Sequence, residues 1–393
     1  MNAIEVAART RAAGVHGEAA PGFERVRECF AANFERTDDR REIGAAFTVY
    51  AGGRRVVDLW GGIADPQRPT PWTADMLVNV YSTTKGIAAL CLAMLVDRGL
   101  VRYEDTMASI WPQFAQAGKS GVTVRQVLSH QAGLPAFDEP ITTADLYDWD
   151  ARCAALAAQR PRWTPGENTG YHPVTFGFLA GEIVRRVTGL TLGQFLTREI
   201  ATPLAADFFV GLPGSLDARV ARIVAPQNAI DPTLIPLPPE TRGSVTNPIM
   251  DPQKANTVPW RRAELPALNG HASARGIARI YAVMANGGEL EGRRLLSAGS
   301  LERMTAVQSR RPDLTLGIAL EWAHGVALNG GTGFFGPNPR SYGHAGWGGS
   351  FGCADPDRRL GIGYVLNQMG PDLVGDVRAR ALCEAVYECL APS

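Results

Sequence analysis

Between Thr83 and Arg98 nearly every position is apolar (Ile87, Leu90, Cys91, Leu92, Met94, Leu95 and Val96), and the run stops at Gly99. That pattern predicts a helix buried on all sides with glycine at its C-terminal cap. Ala46–Tyr50 and Arg55–Trp60 read as two strands joined by a tight Gly52-Gly53 turn, a hairpin. Pro21 to Arg36 reads as a helix, Leu77–Tyr81 as a short strand, and Ala272–Asn286 as a helix ending at Gly287-Gly288. Gly317–Trp322, Ser341–Ser350 and Leu360–Leu366 read as strands, and Pro371 to Leu390 as a closing amphipathic helix. Residues 105–255 carry mainly helical patterns, at Thr123–Leu128, Ala144–Arg160 and Thr175–Thr188, separated by long loops. Proline and polar residues dominate 225–266, too long for a simple connector and therefore expected to pack near a site or form the return crossover. With strands at both ends and helices between, the order predicts an α+β fold, an antiparallel sheet flanked by helices. Residues 1–105 and 256–393 would form the sheet domain and 106–255 an inserted, mainly helical domain, with the active site between them.

Composition narrows the class. The chain has 393 residues, 45% hydrophobic and 20% charged, as a globular protein does. Lys plus Arg balances Asp plus Glu at 39 each, so charge gives no reason to expect a nucleic acid or an anionic membrane as partner. Met1 to Arg36 lacks an apolar signal core and no run reaches membrane-spanning length, which points to the cytoplasm. The six cysteines, at 29, 91, 153, 353, 383 and 389, form no C-x-x-C pair and are expected as reduced thiols. The six histidines show no ligand spacing, so no metal and no other cofactor is expected. Only three lysines, Lys85, Lys119 and Lys254, stand against 36 arginines. A lysine kept in an apolar neighbourhood offers what arginine does not, a removable proton.

Lys85 lies three residues after Ser82 in Tyr81-Ser82-Thr83-Thr84-Lys85-Gly86, and the other two lysines have Gln116 and Asp251 at that offset. Residues i and i+3 share a helix face, so the Lys85 amine reaches the Ser82 hydroxyl at the start of the buried helix. There the free N–H groups and the helix dipole favour developing negative charge, and burial favours a neutral amine. The plain alternative is a serine N-cap followed by an incidental lysine. In Ser129-His130-Gln131-Ala132-Gly133-Leu134-Pro135, His130 reads as a structural pin for the loop after a helix. Trp163-Thr164-Pro165-Gly166-Glu167-Asn168-Thr169-Gly170-Tyr171-His172-Pro173 is turn-rich and would present Tyr171 at a loop tip. A phenol beside a lysine ionises more easily and serves as a base; otherwise Tyr171 is a packing aromatic. Gly343-His344-Ala345-Gly346-Trp347-Gly348-Gly349-Ser350-Phe351-Gly352 places glycines in a strand pattern, where a ligand or a second backbone approaches closely; otherwise it is a hairpin tip. Its Gly348-Gly349-Ser350-Phe351-Gly352 also spells G-x-S-x-G. That elbow requires strand–turn–helix context and a later histidine, and none follows His344.

Taken in order, these four segments resemble the serine β-lactamase/penicillin-binding superfamily, most closely its class C branch and the family VIII carboxylesterases. The likeness runs from the Ala46 hairpin to the C-terminal helix. It implies that Ser82 is acylated, that Lys85 is the motif lysine, and that Tyr171 is the general base. The third family element is K-T-G or H-x-G in lactamases and peptidases and W-x-G in the esterases. Trp347-Gly348-Gly349 fits the esterase form, with His344-Ala345-Gly346 as a rival register. The oxyanion would be held by the N–H groups of Ser82 and Ser350. Pro173 stands where class C lactamases carry an amide-holding Asn, and the K-T-G lysine is replaced by Trp347 or His344. Both departures weaken a lactamase role and leave ester acylation intact. The reading is therefore a serine hydrolase of short-acyl carboxylic esters acting on a small-molecule ester. A β-lactamase, D-amino-acid peptidase, amidase or acyltransferase using the same serine, and a non-catalytic binder of the same fold, are the alternatives. Segments 225–266 and 331–342 are expected to shape the substrate pockets.

Overall fold

A computed structural model describes residues 3–68, 70–330 and 332–390; the outermost limits of the expected domains and residue 331 lie outside them. One antiparallel sheet runs in the order Val15–Ala19, Arg54–Asp65, Gly44–Ala51, Leu360–Leu366, Phe351–Asp355, Tyr342–Ala345, Ala327–Leu328 and Glu321–Trp322, with Thr70–Pro71 added beside Arg54–Asp65. Strands from the two ends of the chain meet at its centre, where Ala46 faces Val365 and Val49 faces Ile362. The hairpin turn at Gly52 and Gly53 takes φ +55° and +82°, the left-handed pair that only glycine adopts without strain and that suits the twist of a two-residue loop.

Strand alternation sorts the core into two layers. Phe47, Val49, Val57, Leu59, Ile362 and Tyr364 face a layer closed by the helices Glu24–Phe34 and Val377–Leu390. Ala46, Tyr50, Ala354 and Val365 face the opposite layer, which holds the helices Thr83–Asp97 and Ala274–Ala285. Burying each of the larger side chains contributes roughly 1.5–3 kcal/mol. Close contact is permitted by missing side chains. A Cβ on Gly361 would lie 2.2 Å from Ala282 N, and one on Gly363 2.5 Å from Ala274 O, so the Ala274–Ala285 helix rests directly on the strands.

The Thr83–Asp97 helix is buried along nearly its whole length and ends at Gly99 with φ +69°. It packs against the Thr175–Thr188 helix, which Gly189 ends in the left-handed region. Val124–Leu128, which packs on the Thr175–Thr188 helix, starts at a capping box of Thr123 and Gln126.

Several elements differ from expectation for local reasons. Gly317–Trp322 narrows to a Glu321–Trp322 strand, because Asp313 Oδ1 accepts the Thr315 and Leu316 N–H groups and bends 313–317 into a turn. Ser341–Ser350 is a strand only over Tyr342–Ala345; Gly346 N–H then donates to Ser350 O at 2.7 Å and closes a turn into Phe351–Asp355. Ala144–Arg160 breaks at Asp148, whose carboxylate accepts Ala151 N–H and caps a helix over Trp149–Ala158. The closing helix starts at Val377, after Gly375 with φ +82°. Leu77–Tyr81 contributes only Val78–Asn79, which pairs with His271–Ala272 in a small separate sheet. The Ala3–Ala13 helix and the Val15–Ala19 strand have no counterpart in the sequence reading.

Candidate active site

The approach to Ser82 is unusual backbone. Val80 N–H donates to Gly270 O at 2.8 Å, which anchors the segment to the small sheet. Tyr81 then takes φ +44°, a left-handed conformation that costs a non-glycine residue free energy and persists only where its surroundings enforce it. Its ring is held edge-on to Trp347 at 5.3 Å, and its hydroxyl donates to Pro252 O at 3.3 Å. The chain turns there, so Ser82 starts the buried helix half-exposed, at the end where helix N–H groups point outward.

Lys85 is wholly buried one turn later. Its Nζ lies 3.1 Å from Ser82 Oγ, 2.8 Å from Pro173 O and 3.0 Å from Ala267 O. Burial alone drives its pKa well below the ordinary lysine value, and no carboxylate offsets it. A neutral amine has two N–H groups and one lone pair. The two carbonyls take the N–H groups and leave the lone pair toward Ser82. Asn269, a residue the sequence reading did not single out, ties together the 260–265 segment just before Ala267. Asn269 Nδ2 donates to Trp260 O and Ala263 O, each at 2.7 Å, and its Oδ1 accepts Leu265 N–H.

Lys119 qualifies the lysine argument. It too is buried, donating to Gln116 O and Gln159 O, and burial lowers its pKa to about 8. Both its bonds go to backbone carbonyls and none to a hydroxyl, and Lys254 is exposed, so the scarcity of lysine alone does not single out a reactive amine. The serine one turn away is what distinguishes Lys85.

Tyr171 is buried instead of standing at a loop tip. Asp313 Oδ1 accepts its N–H at 2.9 Å and Thr315 Oγ1 donates to its carbonyl at 2.9 Å. Trp322 stacks on its ring at 5.6 Å and 6°, with the indole N–H donating to Asp313 Oδ2 at 3.0 Å. The Tyr171 phenol is near enough to Ser82 for that hydroxyl to lower its pKa, and Lys85 Nζ lies 4.8 Å from its ring centre. Burial outweighs the influence of Ser82 and raises the phenol pKa, the opposite direction to the easier ionisation expected beside a lysine.

His130 pins the loop as expected: its Nδ1 accepts His172 N–H at 3.2 Å, and its ring packs on Tyr171 and Trp322. His172 Nε2 in turn accepts Leu134 N–H at 3.1 Å.

The 346–350 turn closes the site. Ser350 Oγ donates to Val80 O at 2.9 Å and lies 3.1 Å from Thr83 Oγ1. A Cβ on Gly346 would sit 2.2 Å from Val80 O, so turn and helix start are in direct contact. Ser350 precedes a strand and, among the described residues, has no histidine partner, which is not the elbow geometry. Among the described residues neither the Ser82 nor the Ser350 N–H meets a protein acceptor. His344 points into the core, its Nδ1 bonded to Ala345 O, and burial lowers its pKa to about 3, so it is a neutral ring. Trp347 is the half-buried neighbour of Tyr81, and Gly349 takes φ +125°.

A hydroxyl at a helix start, a desolvated amine and a clamped phenol thus meet at one place in the fold. Residues 30–386 match the Beta-lactamase family, and the chain belongs to that family. It is 36% identical over 376 residues, 92% of this chain and 84% of the relative, to the esterase/beta-lactamase LipL of Mycobacterium tuberculosis (strain ATCC 25618 / H37Rv). The crystal structure of a family VIII carboxylesterase superimposes with a TM-score of 0.90 at 46% identity, covering 95% of this chain and 99% of that one. A penicillin-binding protein homologue from Caulobacter crescentus gives 0.87 at 42% identity, covering 95% and 99%. Among the described residues no helix is long and apolar enough to cross a membrane.

Proposed function

We propose that the protein is a carboxylesterase that forms an acyl-enzyme on Ser82. The observation that carries this is the placement of the buried Lys85 amine 3.1 Å from Ser82 Oγ with its other two directions taken by carbonyls. Ser82 attacks the ester carbonyl as its proton passes to the Lys85 lone pair. The amine goes first because burial holds it neutral and holds Tyr171 protonated. The Tyr171 hydroxyl, beside Ser82, then passes a proton to the departing alkoxide and is reprotonated from Lys85. Water repeats the sequence on the acyl-enzyme and frees the acid. The N–H groups of Ser82 and Ser350 hold the oxyanion, in the Trp347-Gly348-Gly349 register. Losing one such donor typically costs on the order of 3 kcal/mol in the barrier.

Substrate class follows from what flanks the turn. No cation stands in the third motif to bind a lactam or peptide carboxylate, since His344 is neutral and Trp347 is an indole. The 46%-identical family VIII carboxylesterase supports the same reading, while LipL is named for both activities. We also place the enzyme in the cytoplasm, which suits six free thiols.

The test is a panel of p-nitrophenyl esters of increasing chain length, β-lactams and D-alanyl peptides. Esters with short acyl chains should be turned over best. Dominant lactam or peptide turnover with negligible ester cleavage would replace this reading by the lactamase or peptidase one.

A further inference from the structure

Behind the 346–350 turn lies a fully buried guanidinium that the chemistry above does not use. Arg378, in the first turn of the closing helix, has no exposed surface. Its Nε and Nη2 donate to the two Asp376 oxygens at 3.0 and 2.8 Å, and its Nη1 lies 3.4 Å from Glu42 Oε2 and donates to Gln368 O at 3.0 Å. The remaining Nη2 bond, at 3.0 Å, goes to Gly348 O. Gly370 N–H donates to the same carbonyl at 2.8 Å, so both of its lone pairs are taken. Asp376 and Arg378 also fill the space a side chain on Gly349 would need, with a Cβ there 2.8 Å from Asp376 Oδ2 and 3.0 Å from Arg378 Nη2.

Burying a cation between two carboxylates costs desolvation and is weak evidence for a stability role. What the arrangement supplies is orientation. Gly348 and Gly349 have φ +89° and +125°, so this peptide has conformational freedom that a side chain would remove. The guanidinium restrains that freedom one residue before the Ser350 N–H. Ser350 Oγ, bonded to Val80 O, tethers the other side of the turn to the nucleophile.

We propose that Arg378 is a positioning residue for the oxyanion-binding turn: through Gly348 O it fixes the direction of the Ser350 N–H toward the acyl carbonyl. The proposal rests on the esterase reading above. Arg378→Met should lower kcat for an activated ester about 100-fold, the scale of a lost oxyanion donor or an ångström of misplacement, with KM within about threefold. Affinity for an alkyl boronic acid, whose anionic tetrahedral adduct needs the same donor, should fall in parallel. Arg378→Lys, which restores a charge but not the two-sided fork, should recover only part of the loss. Should Arg378→Met fail to fold, Asp376→Asn decides: it keeps the volume, leaves Glu42 to draw the guanidinium away, and should cut kcat about tenfold with KM unchanged. A folded Arg378→Met or Asp376→Asn enzyme with wild-type kcat and boronate affinity would overturn the proposal. If the wild-type enzyme itself neither cleaves esters nor acylates Ser82, the functional reading has failed instead.

Discussion

Asp313 is the residue whose replacement tests the site's construction most sharply. Its carboxylate accepts four N–H groups: Tyr171, Thr315 and Leu316 on Oδ1 at 2.9, 2.9 and 3.0 Å, and the Trp322 indole on Oδ2 at 3.0 Å. It is buried, and desolvation, the largest influence, raises its pKa while the four donors pull the other way. Asp313→Asn keeps the shape but turns one acceptor into a donor. Its amide nitrogen then faces either the indole N–H or the three backbone N–H groups, and the indole is the cheaper one to orphan. An unsatisfied buried donor costs about 1–3 kcal/mol. The three surviving bonds lose their charge assistance, which is roughly half their strength. Relief of the buried charge returns part of this, leaving a net destabilisation of about 2–4 kcal/mol. The indole that stacks on Tyr171 is no longer held, so kcat should fall about 10- to 100-fold while KM changes little. Urea midpoints with steady-state kinetics on one ester measure both. An Asp313→Asn enzyme with unchanged midpoint and kcat would refute the idea that this carboxylate sets the Tyr171 and Trp322 geometry.

Lys85→Arg should be almost inactive in ester turnover, because a guanidinium does not give up a proton; near-normal kcat would remove Lys85 as the base. The pH–rate profile should show a single acid limb. The Lys85 pKa is depressed, so activity is full above it and is lost as pH falls through it, whereas the raised Tyr171 pKa puts any alkaline loss well above neutrality. A bell centred below neutral pH would contradict this. Gly346→Ala puts a Cβ 2.2 Å from Val80 O, over an ångström inside normal contact, and should cost on the order of 100-fold in kcat/KM; wild-type kinetics would show that the turn yields freely. Ser350→Ala loses the bond to Val80 O and should destabilise by about 1 kcal/mol in a thermal or urea melt, with less than a tenfold loss of activity. A collapse equal to that of Ser82→Ala would make Ser350 the nucleophile.

What the sequence revealed and what it concealed have physical causes. The buried helix after Ser82 and the central hairpin were legible because their signals are local: an apolar run ended by Gly99, and two glycines able to take the left-handed turn. Spacing alone brought Lys85 to Ser82, one helical turn away. Tyr171 was picked out by its turn-rich segment and given its role by resemblance, and its burial was missed because the clamp comes from Asp313, more than a hundred residues later. The same aspartate explains the lost strand at 317–320, since a side chain that collects backbone N–H groups competes with the ladder. Asn269 and Arg378 carried no motif. Each acts on backbone carbonyls, Asn269 on those of Trp260 and Ala263 and Arg378 on that of Gly348, and such work leaves no pattern in hydrophobicity or spacing.

Intact-mass and peptide-mapping analysis after reaction with a fluorophosphonate is the most direct measurement. One adduct per chain, located on Ser82, absent in Ser82→Ala and formed much more slowly in Lys85→Arg, is the predicted result. An adduct mapped to another serine, or undiminished labelling and ester turnover in Ser82→Ala, would contradict the assignment of the nucleophile and everything built on it.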